Sequence, residues 1–540
     1  MSQAIRVRFA LVALLITFFG LALTSAIQKS PTMDEQNHIA RGAAYLGTGD
    51  PRLSIEHPPL VNVMSALPVH WLLHPNLPLD PWWEAAEWYH FADNFLWHAN
   101  TDPDRIIFLA RLPIIAIGLM LVALVFRWGN SVHGGPGGLL AAAFCALDPN
   151  ILAHTRLTTT DMGGAFFAFL ASYSLWRALR QPTWRRGLWA SIAFGLALAA
   201  KLTALAFGPI LILAGIGYTW RFRPRRWVEV RRVIAGLALL LCVSALTLWA
   251  IYGFEAGVIW LGCPPMPASP YIKGLKAMLA FGSEGRPSYL MGQYRDGGWW
   301  TYFPVAFAVK TPIPTLLGAV LAVGVLLRRP QSDDWFIAMP PIAFLSMSMV
   351  SNLNIGYRHL LPMLPFVALH IGRLARTDGY QLWPAIAWQT VSLVLSTGLL
   401  VCTVSIYPDF LAYFNRMGGG PEEGWRVLAD SNIDWGQDLK KLRLWMDAEG
   451  VERVRLGWFG SAYPEAYGIN YDLLPGLPHG FVLWEDPPFN REQPGPGTYV
   501  ISVTNLVGVA FPDHDVYAWF RSRAPDAKVG YSLFIYEVTP

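Results

Sequence analysis

Pro31-Thr32-Met33-Asp34-Glu35-Gln36-Asn37-His38 stands just past an apolar run that begins near residue 7, and how it is read decides the fold. Two adjacent acids sit where the apolar run stops. The same polar stretch, 28–106, carries Ile55-Glu56-His57-Pro58-Pro59-Leu60 before the chain turns apolar again near 107. A run of about 20 apolar residues is long enough to cross a bilayer as a helix. Residues 28–106 are therefore a long loop between two crossings, and chemistry is expected in that loop.

Outward from the loop the pattern repeats. The chain has 540 residues, 54% hydrophobic and 14% charged, whereas soluble domains carry about a quarter of charged residues. Repeated apolar runs point to a polytopic α-helical membrane protein. The net charge of +4 is small and the arginines cluster in short loops. That pattern orients a membrane chain and does not suit a nucleic-acid partner. Cys145, Cys242 and Cys402 lie in apolar segments and Cys263 stands alone in a loop, so no disulfide framework is expected. Arg6 and Arg8 followed by Phe9 to Leu23 also fit a signal peptide. The run continues to Ile27 and many spans follow, so a retained first helix is expected, with a cytoplasmic N-terminus and an external first loop.

Basic flanks place the remaining crossings. Segment 107–126 returns to Arg127. Residues 134–176 form a hairpin whose external tip holds Asp148-Pro149-Asn150 and Thr158-Thr159-Thr160-Asp161, because Arg127 on one side and Arg177, Arg180, Arg185 and Arg186 on the other belong inside. Residues 187–220 read as a tight hairpin with Lys201 near its outer tip, closed inside by Arg221-Phe222-Arg223-Pro224-Arg225-Arg226. Segment 233–252 leads to a second external loop, 253–300. Segment 301–327 carries Lys310 in its outer half. Segments 335–350 and 360–372 flank the tip Ser351 to His359, and 382–406 exits at Tyr407-Pro408. That makes about eleven crossings over 1–407. The polar tail 408–540, helix-like at 436–449 and strand-like at 498–504 and 529–538, reads as a small external α/β domain.

This topology sends Asp34, Glu35, Glu56, His57, Asp161, Lys201, Arg295, Lys310, Arg358 and His359 to one face. Charges at a membrane boundary are costly unless paired or solvated. Each has a structural reading beside a functional one. Thr32-x-x-Glu35 is a capping box, and Asp34 and Glu35 also suit a general base with a tuning neighbour. His57-Pro58-Pro59 can simply open a helix, while Glu56-His57 offers two adjacent donors to a divalent metal. Asp161 can be a helix-start acid. Lys201 and Lys310 can snorkel, or with Arg358 bind a phosphate. The aromatics of 281–303, Phe281, Tyr289, Tyr294, Trp299, Trp300, Tyr302 and Phe303, fit an interfacial belt or a sugar-stacking surface.

Together these features resemble the GT-C-fold, polyprenyl-phosphate-dependent glycosyltransferases, which include protein O-mannosyltransferases and lipid A aminoarabinose transferases. The resemblance rests on Asp34-Glu35 after the first helix with His57-Pro58-Pro59-Leu60 in the same loop, on Thr160-Asp161, and on Tyr357-Arg358-His359-Leu360-Leu361-Pro362. The last looks like an Arg-Tyr-Leu-Leu-Pro stretch of that family, with His359 in place of the tyrosine. Tyr407 to Asn415 and Asp430 to Leu439 are similar to a subset of bacterial members. The resemblance implies a bacterial plasma-membrane enzyme whose donor docks from the outer leaflet, with Asp34 as base, Glu35 beside it, and Asp161 and His57 in support. It implies Lys201 and Arg358 as donor-phosphate contacts, with Lys310, Arg295, Tyr357 and His359 as further phosphate-binding residues. The acceptor, whether protein, lipid or glycan, and the metal stay open. A transporter or lipid flippase is the rival from another class, and an inert scaffold a third. Transporters show paired broken helices and mid-membrane charges, unlike the one-sided charges and very long first loop here.

Overall fold

The computed structural model describes residues 2–222, 227–260, 262–331, 333–376, 385–476 and 488–539. The expected inner-loop residues Arg223 to Arg226 and the start of the 382–406 segment lie outside the described residues.

The first apolar run is one helix, Gln3–Gln28. The second and third runs form Pro103–Ala146, broken at Gly134, whose φ of 78° is left-handed and suits a residue without a side chain. Among the described residues, four helices are long and apolar enough to cross a membrane: Gln3–Gln28, Pro103–Ala146, Ile234–Ile251 and Ala387–Ser405. Trp128 of Pro103–Ala146 packs against shorter helices, ringed by Phe169, Tyr173 and Trp176 of Thr160–Arg180, Phe336 of Asp334–Met349 and Phe366 of Leu364–Ile371.

Three expected segments differ in form. Segment 301–327 is not one rod. Tyr302–Lys310 and Ile313–Arg328 meet at 110°. Thr311 stands in extended conformation before Pro312, as the residue before a proline prefers. Residues 187–220 are not a packed hairpin. Trp184–Ala200 packs on its neighbours Thr160–Arg180 and Trp227–Ile251, whereas Phe207–Phe222 packs mainly on Asp334–Met349. Lys201 is extended between them, followed by a 3-10 turn, Leu202–Ala206. Segment 360–372 opens with a 3-10 turn, Tyr357–Met363, holding Pro362, and becomes α-helical only over Leu364–Ile371.

The first loop is a folded helical unit with its own core. Helices Glu35–Thr48 and Pro59–Leu73 pack together, and Trp88–Asp93 packs on the first of them. Ile39, Ala43, Val69, Phe91 and Phe95 are buried between them. In the tail a five-stranded sheet runs in the order Tyr471–Leu473, Val454–Gly457, Gly497–Ser502, Leu533–Val538, Ala527–Val529. The first two pairings are parallel and the last two antiparallel. Helix Leu439–Glu449 buries Leu442 and Met446 in the same core as Leu456, Val500 and Ile535.

The stretch 408–438 does not join this sheet. It runs back against the first loop. Ser30 N–H donates to the Gln437 carbonyl at 3.1 Å and Met33 N–H to the Trp435 carbonyl at 2.9 Å. The buried Lys29 ammonium pairs with Asp409 and Asp438.

Candidate active site

Asp34 immediately precedes helix Glu35–Thr48. Its carboxylate is about one-third exposed and accepts from Arg358 Nη1 at 3.1 Å. The Arg358 guanidinium lies 4.1 Å from the centre of the Trp435 ring. Its Nε is buried without a hydrogen-bond partner. Beside this pair, the Lys201 ammonium meets the buried Asp161 carboxylate, which also accepts from Thr159 Oγ1 at 2.8 Å. Arg358 is within electrostatic reach of Asp161, Asp34 and Asp430. Asp34, Asp161, Lys201 and Arg358, far apart in sequence, therefore share one site.

Glu35 is placed differently from its neighbour. It is fully buried. Its carboxylate accepts from Arg111 Nε at 2.9 Å and Nη2 at 2.6 Å, from Thr32 N at 2.8 Å and from Thr158 N at 3.1 Å. Burial alone would raise its pKa, but the Arg111 charge and these donors outweigh burial and hold it below the usual carboxylate range. Arg111 also donates to the Ala26, Lys29 and Ser30 carbonyls. It thereby clamps the end of the first helix to the first loop.

His57 packs edge-on to His38 with ring centres 4.6 Å apart. Burial, then His38 and Arg41, lower its pKa well below the ordinary value, which makes it neutral at pH 7. Glu56 accepts from Arg41 at 3.2 Å, and Arg41 lies over Trp88. Among the described residues no group of three His, Cys, Asp or Glu is arranged to hold a metal ion. Among the described residues the Glu56-His57 pair has no third such donor arranged with it, and Glu56 is engaged by a guanidinium.

Of the other expected phosphate contacts, Lys310 and Tyr357 are bonded to protein groups, Arg295 is exposed, and His359 lies beside the site. Lys310 is buried, donating to the Leu411 carbonyl at 2.8 Å and the Asn432 carbonyl at 2.5 Å, with its ammonium 4.5 Å from the Phe414 ring centre. Tyr357 is buried with its hydroxyl 2.8 Å from Thr311 Oγ1. Arg295 is exposed on the short hairpin of Pro287–Leu290 and Gln293–Asp296. His359 is near Lys201, Arg358 and Asp161, and its Nε2 is unpaired. Two aromatics of 281–303 bind the tail: Tyr289 donates to the Arg426 carbonyl at 3.1 Å, and Tyr294 donates to the Val507 carbonyl at 2.5 Å and stacks on His514, whereas Trp300 is exposed. The Phe281 side chain lies outside the described residues.

Several site residues escaped the sequence reading. Trp435 and Asp430 come from the tail, and nothing in the local sequence ties them to Arg358. Asp430 is left-handed at φ 58°, and burial raises its carboxyl to about 6 against the opposing pull of Arg358. His154, in the hairpin tip, is buried with Nδ1 unpaired and lies edge-on to Trp435. Arg111 was hidden inside an apolar run. A lone arginine in the outer end of a span was the available signal.

Residues 105–249 match the family described as dolichyl-phosphate-mannose-protein mannosyltransferase. The resemblance to membrane glycosyltransferases read from the motifs is borne out by that match. No curated relative matches the chain. Among solved structures, ArnT from Cupriavidus metallidurans bound to undecaprenyl phosphate is similar at 12% identity and TM-score 0.49, with 97% of each chain covered. ArnT from the same organism in the apo state is similar at 13% identity and TM-score 0.47, covering 99% of this chain and 98% of that one. The Archaeoglobus fulgidus oligosaccharyltransferase in the apo form is similar at 12% identity and TM-score 0.46, covering 77% of this chain and 57% of that one.

Proposed function

We propose that the protein moves a sugar from a polyprenyl-phosphate donor to an acceptor at the external face of the membrane, with inversion at the anomeric carbon. The observation that carries this reading is the pairing of a partly exposed carboxylate, Asp34, with Arg358, beside the Asp161–Lys201 pair. A base and two cations at one site match what the transfer demands. Asp34 takes the proton of an acceptor hydroxyl or amine as that group attacks the anomeric carbon. The anomeric carbon–oxygen bond breaks and its electron pair stays on the lipid phosphate. Arg358 and Lys201 stabilise the charge that grows there, and the unpaired Arg358 Nε is a further donor for it. Asp161 orients Lys201. Glu35, held by Arg111, fixes the helix start that carries Asp34 and touches no substrate. Lys310 and Tyr357 support the site from behind. No step runs through a metal.

In this reading the helices of 1–407 make about eleven crossings of a bacterial plasma membrane in a GT-C-like arrangement. The N-terminus is cytoplasmic, and the tail 408–540 lies outside.

Membranes holding the wild type or Asp34→Asn, at matched expression, are given labelled polyprenyl-phosphate sugars with native acceptors present. Label leaves the lipid fraction with the wild type, and Asp34→Asn slows that release by about 10²- to 10⁴-fold, the usual worth of a general base. Equal release by both removes Asp34 as base. No release by either removes the transferase reading.

A further inference from the structure

The tail motif Asp430-Ser431-Asn432-Ile433-Asp434-Trp435-Gly436-Gln437 has no part in the chemistry described so far, yet it is built into the site. Two bonds tie it to the strip that carries Arg358, and a third ties it to helix Tyr302–Lys310. Tyr357 N–H donates to Asn432 Oδ1 at 2.9 Å, Ser431 Oγ donates to the Ile355 carbonyl at 2.5 Å, and Asn432 Nδ2 donates to Tyr302 Oη at 3.0 Å. On the other side the Trp435 carbonyl accepts from Met33, next to Asp34, and Ser461 Oγ donates to the Met33 carbonyl at 2.9 Å. The loop is stiffened from within. Trp435 N–H donates to Gln437 Oε1 at 2.8 Å, and Gln437 Nε2 to the Ile433 carbonyl at 2.9 Å. Gly436 turns at φ 84°, where a side chain would meet the Gly460 Cα at 3.0 Å.

The loop therefore touches the residue before Asp34 and the residue before Arg358, and its one aromatic ring lies against the Arg358 guanidinium. Arg358 needs such a support. Among the described residues its side chain makes one hydrogen bond, to a partly exposed carboxylate, and that bond does not fix the plane of the fork. A ring face does, through contact and attraction between the cation and the π-system. Trp435 is itself buried, so it presents no stacking surface to a sugar.

We propose that Trp435 is a positioning residue of the transfer site, reaching in from the tail to hold the Arg358 guanidinium in the plane that serves Asp34 and the donor phosphate. Its role in turnover rests on the transferase reading; its hold on Arg358 does not.

Two substitutions of similar bulk separate the ring face from its volume. Trp435→Phe keeps a π-face and Trp435→Leu removes it. Full-length protein in nanodiscs is treated with phenylglyoxal, and modification of Arg358 is followed by peptide mass spectrometry. Turnover of labelled polyprenyl-phosphate sugar is followed in parallel. Trp435→Leu modifies Arg358 at least about fivefold faster than the wild type and lowers kcat about tenfold, while Trp435→Phe stays within about threefold on both, as a cation–π contact of this type predicts. Leu and Phe variants that match each other on Arg358 labelling, whether both near wild type or both far from it, overturn the proposal. If the wild type consumes no lipid-phosphate sugar, the transferase reading falls, and the labelling alone decides whether Trp435 holds Arg358.

Discussion

Asp34 and Glu35 are adjacent acids with opposite surroundings, and their contrast is the clearest guide at the scale of single residues. Among the described residues Asp34 has one side-chain partner, and it has access to solvent, whereas Glu35 has its oxygens filled by donors in a dry interior. Glu35→Gln leaves Arg111 as an uncompensated buried charge, a loss of about 3–5 kcal/mol for a broken buried pair, read as a lower thermal midpoint. pH gives an independent check. The folded carboxyl lies below its ordinary value. Its contribution to stability is therefore complete above the unfolded pKa of about 4.3 and is lost as pH falls through the lower folded value. The thermal midpoint of the wild type accordingly drops below about pH 4.3, and Glu35→Gln flattens this part of the curve. Two neighbouring acids at the end of an apolar run were legible as special. Which of them faces solvent was not, because Arg111 lies 76 positions along the chain from Glu35.

The elements show where local sequence rules are overruled. Arginine flanks and apolar runs marked the helices, and Thr160–Arg180 begins at the threonines expected at the hairpin tip. The bend of 110° between Tyr302–Lys310 and Ile313–Arg328 was hidden in a continuous apolar run. Thr311-Pro312 was the local signal, and the tail completes the bend, since Lys310 at the helix end reaches the Leu411 and Asn432 carbonyls. A cation that satisfies two buried carbonyls is expected to act on the fold more than on a ligand. Lys310→Met therefore lowers stability by about 1–3 kcal/mol for each carbonyl left unsatisfied, while the donor KM of whatever folds changes little. A KM rise of about tenfold with an unchanged thermal midpoint would instead assign Lys310 to the phosphate. Lys201 behaves in the opposite way. Lys201→Met leaves Asp161 without its cation and slows transfer about a hundredfold, the scale seen when one electrostatic donor at a reacting centre is removed.

In the molecule as a whole, the tail divides at the end of 408–438. The sheet beyond it has its own core; its helix and two of its five strands fall where 436–449 reads as helix-like and 498–504 and 529–538 as strand-like. The stretch 408–438 was readable only as a motif, because its partners, Lys29, Met33, Lys310 and Tyr357, are scattered over the first 360 positions. Deletion of 408–540 therefore abolishes transfer to every acceptor, measured with the same labelled donors, and lowers the yield of folded protein. Deletion that left turnover intact and narrowed only the acceptor range would show the tail to be a separate recognition unit.

The hydrogen bond from Met33 to Trp435 joins residues 402 positions apart. During synthesis the first helix and its two acids are made early, long before the Trp435 ring that lies against Arg358. The first loop therefore lacks its Trp435 neighbour until the last quarter of the chain arrives and folds back.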